Sequence, residues 1–247
     1  MNDIAARLTE RLTKAERDQS HPNVRPKDAA TLILIDRTGP SPKVLLGRRH
    51  HGHKFLPGKF VFPGGKAEFA DRRVQAVSPL DPQVEKLLMR RMQYPSRDKV
   101  RGIALAAIRE TFEETGLLLG RKHAQAPSGC NGPWAAFVQA GVVPDLATLH
   151  FVARAITPPR RPKRFDTRFF AVDTEMIAGR IDGVVGPDTE LVELVWLPIA
   201  QARTLDMPGI TAVVLEELEA RIKAGMPRGL PVPFYRMINR RFTREML

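Results

Sequence analysis

Two aliphatic runs stand near the start of the chain, AATLILID (29–36) and KVLLGRR (43–49), separated by RTGPSP. Their length and β-branched content predict two strands, and the glycine and prolines between them predict a hairpin. KFVFPGG (59–65) reads as a third strand running into a glycine turn. The pattern then changes. PQVEKLLMRRMQY (82–94) has helical spacing, and after PSRDK a second helix is predicted over about 98–116, stopped by Gly116. Further along, PWAAFVQAG predicts a short helix, LHFVARAIT, TRFFAVD and LVELVWL predict strands, and PIAQARTL and GITAVVLEELEARIKAG predict helices. An amphipathic segment at roughly 3–17 precedes SHPNVRP, whose prolines mark a linker. Strands and helices follow one another without regular βα alternation. The expected class is therefore α+β, a mixed sheet packed against helices.

The second long helix carries RETFEETG, residues 109 to 116. At about 100° per residue, with Glu110 at zero, Glu114 falls near 40° and Glu113 near 300°, so all three glutamates share one face. Leu105, Ile108 and Phe112 fall on the opposite side, which is the expected core stripe. Ala106 and Ala107 precede the carboxylates by one turn on their own side, leaving only small side chains there. Arg109 stands four residues before Glu113, where a contact across one turn orients the carboxylate. Three like charges so close repel one another unless a cation sits among them. Oxygen-only ligands select a hard ion such as Mg²⁺ or Mn²⁺.

Charge adds a second reason to look for anions. The chain has 247 residues, 39 Lys+Arg against 27 Asp+Glu, and a net charge of +12. Such a field attracts anions. Charge alone does not say which anion; the basic residues are scattered and no aromatic-interleaved RNA-binding motif is present, so nucleic acid is not favoured as a partner. The densest basic runs, PPRRPKRF (158–165) and YRMINRRFTRE (235–245), are read as solvated surface or phosphate contacts. No apolar run approaches the roughly 18 residues of a membrane span, and the start is charged of both signs, so the expected location is cytoplasmic. Cys130 is the single cysteine, which excludes an internal disulfide and a cysteine-based zinc site. His50, His51 and His53 are read as part of a basic loop rather than as metal ligands.

FPGGKAEF (62–69) places Gly64, Gly65 and Lys66 directly after a strand, where bare backbone can approach a ligand. With the glutamate helix, this stretch resembles the Nudix box: Gly, five residues, Glu, seven residues, Arg-Glu-U-x-Glu-Glu-x-Gly-U, with U bulky and aliphatic. The second half stands here as Arg109 to Leu117, with Thr111 the one atypical member. In the first half Asp71 replaces the family's Glu, and 37 residues separate it from Arg109 where the family has seven. The box is thus interrupted by 30 extra residues. Loop closure tolerates such an insertion, because its entropic cost grows slowly with length. An interrupted box also resembles the branch of peroxisomal-type coenzyme A diphosphatases. The register upstream is similar to theirs: Leu45, Leu46, Gly47, Arg48, Arg49, His50, then Lys54, Gly58 and Phe62 to Gly65, with Gly47, His50 and Lys54 standing where that family has Thr, Ser and Arg.

The resemblance implies a Nudix fold, a mixed sheet sandwiched between helices. The chain is divided into an N-terminal helix and linker at 1–26 and a Nudix domain at 27–247 with an insertion at about 72–101, whose composition does not distinguish capping of the pocket from a homodimer contact. The implied activity is metal-dependent hydrolysis of a nucleoside diphosphate linked to another moiety, coenzyme A or acyl-coenzyme A first, with NADH, ADP-ribose or capped RNA behind them. A nucleotide sensor without turnover is the non-enzymatic alternative. Glu110, Glu113, Glu114 and the Gly64 carbonyl are the implied ligands of Mg²⁺ or Mn²⁺. Glu110, Glu114 and Arg109 are the implied catalytic residues, and Arg49, Lys54, Gly64, Gly65 and Lys66 the substrate-binding ones. Glu190 or Glu193 is a further candidate carboxylate from a late loop.

Overall fold

The structure is a computed structural model that describes residues 2–15, 19–53, 56–123 and 132–247. Lys54 and Cys130 lie outside the described residues. In chain order the first elements are α1 (Asn2–Lys14), β1 (Lys27–Asp36), β2 (Lys43–Arg49), β3 (Phe60–Val61), β4 (Gly64–Lys66), α2 (Pro82–Met89) and α3 (Arg97–Thr115). Then come β5 (Leu117–Leu119), β6 (Arg121–Lys122), α4 (Ala135–Gln139), β7 (Val142–Val143), β8 (His150–Ile156) and β9 (Phe165–Asp173). The chain finishes with β10 (Ile177–Arg180), β11 (Leu191–Pro198), α5 (Ile199–Ala202), α6 (Gly209–Lys223), β12 (Pro233–Ile238) and β13 (Arg241–Met246).

The main sheet runs β11-β2-β1-β9-β8-β12-β13, with β3 added to β2 and β4 to β1. β1 is parallel to β9 and β8 to β12, while the remaining neighbours are antiparallel. It is a mixed sheet flanked by helices, the α+β arrangement expected from the sequence. β1 is buried on both faces, and its alternation sends Leu32 and Leu34 into one apolar cluster and Ile33 and Ile35 into another. The first cluster is built with α2 and α3, the second with α1 and α6. Leu8 and Leu12 of α1 join the second, and Arg7 and Arg11 reach Glu216 on α6 at 2.6 and 3.3 Å. Among the described residues no helix is long and apolar enough to cross a membrane.

Several elements differ from the sequence expectation. The strand read at 59–65 is two short pieces on different partners, broken at Phe62–Pro63, because proline has no N–H to carry a ladder onward. The helix expected over 82–94 stops at Met89; Arg90 is extended and Arg91 and Tyr94 have positive φ. Pro95 disfavours helix at Tyr94, and the Arg90 carbonyl is taken by Arg154 Nη1 at 2.9 Å. The basic run 235–245 is mostly the β12–β13 hairpin, with Arg236 paired to Glu245 and Arg244 to Glu217. α3 is not one-sided. Residues from Gly102 to Arg109 are buried, as are Thr111, Glu114 and Thr115, whereas Phe112 of the expected core stripe is only half-buried against Phe137. Sheet, α2 and the turn at Ala70–Arg73 surround the helix, so no face is left for an ordinary amphipathic split.

Candidate active site

α3 is fixed at both ends by local chemistry. Ser96 Oγ accepts the Lys99 N–H at 3.1 Å, and Gly116 closes the helix at φ 75°, a left-handed conformation that glycine adopts without steric cost. Its last turns are thereby held against β4, where β1 has exchanged β2 for β4 as its neighbour: Ile35 and Asp36 pair with β2, but Ala29, Ala30 and Thr31 pair with Lys66, Gly65 and Gly64.

At that divergence Glu110 and Glu114 meet the paired glycines. The Gly64 N–H donates to Glu114 Oε2 at 3.0 Å, and a Cβ at Gly65 would overlap the Glu110 carboxylate. Both glutamates line a cavity of about 260 Å³ with Arg49, Gly64, Gly65, Lys163 and Glu190. Its remaining wall is mostly apolar, from Leu56, Phe62, Phe165, Phe169 and Ile210. Glu190 is held there by Arg49 Nη2 at 2.9 Å, while Arg49 Nε is buried without a hydrogen-bond partner.

Arg109 ties the acidic cluster together. Its Nε and Nη2 donate to the two oxygens of Asp71 at 2.8 and 3.1 Å, and Nη2 also donates to the Lys66 carbonyl at 2.9 Å. Nη1 donates to Glu110 Oε1 at 2.9 Å and Glu113 Oε2 at 2.6 Å. Asp71 is fully buried and also accepts the Glu68 N–H and the Trp134 indole N–H. Burial opposes the Arg109 charge, yet Asp71 and the two glutamates hold its pKa above the ordinary value.

The carboxylates facing the cavity are shifted in the other direction. Burial pushes Glu110 up to about 7; Arg109 opposes this, and Glu113 and Asp71 add to it. Glu114 is raised well above the usual carboxylate range, by burial first and by Glu190 next, with the Gly64 N–H pulling the other way. Glu114 is buried, Glu110 half-buried and Glu190 beside them; Arg109 and Arg49 pair with the latter two, while Glu114 has the Gly64 N–H but no ion pair among the described residues. Hard oxygen donors next to bare backbone fit a divalent ion that completes its shell with water and phosphate. Among the described residues no group of three or more His, Cys, Asp or Glu is already gathered around one ion position. Glu113 turns to Arg109 and does not line the cavity.

Of the residues singled out in the sequence, Arg49, Gly64, Gly65, Glu110 and Glu114 therefore converge on one cavity. Lys66 contributes its carbonyl to Arg109, but its side chain points to Glu68 at 3.4 Å and borders a different depression. Of the two late carboxylates Glu190 is at the cavity, and Glu193 is paired with Arg48 on the neighbouring strand. Asp71 does not reach the cavity; it anchors Arg109 instead. The sequence reading did not single out Lys163 or the α6 residues Ile210 and Thr211. Lys163 stands in the basic run 158–165, which was the only available hint. The histidines pair locally, with His50 Nδ1 accepting the Gly52 N–H at 2.9 Å and its ring edge-on to His53.

No protein-family model matches the chain. Among solved structures it is similar to a NUDIX hydrolase from Alicyclobacillus acidocaldarius, at a TM-score of 0.58 and 30% identity, covering 80% of this chain and 92% of that one. Among curated proteins it is similar to one described as "Putative nudix hydrolase 7" from Caenorhabditis elegans, 27% identical over 156 residues. That match takes in 58% of this chain and 43% of the relative, so it spans less than half the relative's length. Shared architecture across nearly the whole of a solved relative, with sequence identity to match, leads to one assignment: the chain belongs to the Nudix hydrolase superfamily.

Proposed function

We propose that the protein hydrolyses a nucleoside diphosphate linked to another moiety, with coenzyme A or an acyl-coenzyme A as the preferred substrate. The observation that carries this is the pair Glu110 and Glu114, buried against the backbone of Gly64 and Gly65 in a chain that is otherwise strongly basic. The donors that would hold Mg²⁺ or Mn²⁺ are the carboxylates of Glu110, Glu113 and Glu114 and the Gly64 carbonyl. When bound, such an ion supplies countercharge to the carboxylates and Lewis acidity toward a diphosphate oxygen.

The chain's own residues do the rest. Glu110, facing the cavity beside Arg109, is either a ligand of that ion or the base that takes the proton of the attacking water. The water oxygen bonds to one phosphorus, the bond from that phosphorus to the bridging oxygen breaks, and the bridging oxygen leaves on the second phosphate. From coenzyme A the products would be phosphopantetheine and an adenosine bisphosphate. Arg109 orients Glu110 and Glu113, and Asp71 holds Arg109 in place. Arg49, already paired with Glu190, and Lys163 also line the cavity and offer positive charge to the diphosphate. Coenzyme A is favoured by the spacing from Leu45 to Gly65, which keeps the register of that branch, and by the apolar wall that a pantetheine arm could follow.

The test is a panel of coenzyme A, acyl-coenzyme A, NADH, ADP-ribose and capped RNA with Mg²⁺ or Mn²⁺, read by product mass. Coenzyme A should be cut fastest, and Glu110→Gln should lower kcat by about 10²- to 10⁴-fold. Turnover of none of them would overturn the hydrolase reading, and tight nucleotide binding without turnover would replace it with a sensor.

A further inference from the structure

On the other face of the sheet lies a larger depression of about 600 Å³ that shares no lining residue with the carboxylate cavity. Strand alternation separates the two. On β9, Phe165, Thr167 and Phe169 face the cavity, whereas Asp166 and Arg168 face the groove; on β1 the same division falls between Ala29 and Asp28.

Half of the groove's lining is cationic: seven of its 14 residues are Lys or Arg, against two Asp. The two acids are already engaged. Asp28 is bonded to Arg168 at 2.6 Å and Lys99 at 3.0 Å, and both Asp166 oxygens are bonded to Arg154 at 2.8 and 2.6 Å. Arg25 has only the neutral Gln93 amide oxygen as a partner, and Lys27 makes no ion pair among the described residues. The floor is more telling. Arg168 has a side chain only 1% exposed, yet its Nε and Nη2 have no hydrogen-bond partner. Its charge is met through Nη1 alone, by Asp28 at 2.6 Å and the Asp166 carboxylate at 3.4 Å, and two buried donors without an acceptor remain costly.

We propose that this groove binds a small phosphate-bearing anion at a second site, separate from the carboxylate cavity. Guanidinium groups match phosphate oxygens in both geometry and charge. The depression is of small-ligand size, and no aromatic side chain lines it to stack a nucleobase, so the phosphate is the recognised part.

The experiment is titration calorimetry on the full chain in EDTA, with inorganic phosphate, pyrophosphate and adenosine 3′,5′-bisphosphate as separate probes. EDTA keeps divalent ions from recruiting phosphate to the carboxylates. Saturable one-site binding of pyrophosphate is expected, weakened at least tenfold by the exposed-residue variants Arg25→Glu and Lys27→Glu and unchanged by Lys163→Glu. If the bisphosphate binds no more tightly than pyrophosphate, recognition is of phosphate alone, as proposed. The proposal is overturned if no probe binds saturably. It is equally overturned if Lys163→Glu abolishes binding that Arg25→Glu and Lys27→Glu leave intact, or if single-stranded RNA displaces pyrophosphate at far lower concentration. Because these readings need neither turnover nor a divalent ion, they stand apart from the hydrolase test.

Discussion

Asp71 and Arg109 meet with side chains only 1% and 6% exposed, 38 positions apart in the chain. Removing the Asp71 charge takes away the bidentate partner of the buried Arg109 and leaves it Glu110 and Glu113 as charged partners. Asp71→Asn is expected to destabilise the protein by about 3–5 kcal/mol, measured by urea unfolding. The paired glycines divide differently. A Cβ at Gly64 would strike the Ala30 carbonyl and the Thr31 Cα, which are backbone and cannot move cheaply. At Gly65 it would strike only the mobile end of Glu110. Gly64→Ala should therefore lower the unfolding free energy by more than about 1 kcal/mol. Gly65→Ala should instead leave stability nearly unchanged while reducing turnover by more than tenfold, because the carboxylate is displaced.

Glu110 gives a pH signature. Its pKa rises from 4.5 unfolded to about 7 folded, so between those values the unfolded chain has released a proton that the native state keeps. Stability of the cation-free protein should thus be greatest below pH 4.5 as far as this group is concerned, fall as pH rises toward 7, and level off above it. Glu110→Gln should flatten that slope in thermal scans, and Mg²⁺ should restore stability on the alkaline side. The shared face of Glu110 and Glu114 was legible from 3.6-residue geometry alone, whereas Glu113, put on it by the same arithmetic, turns to Arg109 and stays outside the cavity. The role of Asp71 was not legible, since its contact exists only once the turn at Ala70–Arg73 has folded back onto α3.

Among the elements, α3 shows how far periodicity reaches. Its start, its glycine stop and its glutamates could be read from the sequence, but its burial could not, because β1, β4, β9 and β11, distant in the chain, are among the elements that pack against it. Short elements were the hardest. β5 and β10 pair at the end of α3 with only three and four residues each, too few for a period to emerge. The β12–β13 hairpin was hidden by its arginines, which read as a charge run although Phe234 and Tyr235 are buried. Gly116 joins α3 to this region, and its carbonyl accepts the Ile181 N–H at 2.8 Å. Gly116→Ala combines a strained φ with a Cβ against the Ile181 carbonyl, so a loss of about 1–3 kcal/mol is expected in calorimetry.

Over the whole molecule the excess of positive charge acts at a distance. Encounter with an anionic substrate should be steered, so kcat/KM is expected to fall several-fold as ionic strength rises from about 0.01 to about 0.2 M, with kcat little changed. A stopped assay across that range reads the difference directly. The mixed sheet and its flanking helices were foreseeable from the irregular order of strands and helices, whereas the two depressions on its opposite faces emerged only from the register of β1 against β4 and β9. Since α3 is buried along most of its length, Glu110 and Glu114 rest on a base that cannot tilt without disturbing the interior. Adjustment is left to the border, to Lys163, Pro208 and Ile210. A new substrate could be accommodated by rewriting that rim, while a new chemistry would require the centre of the protein to be rebuilt.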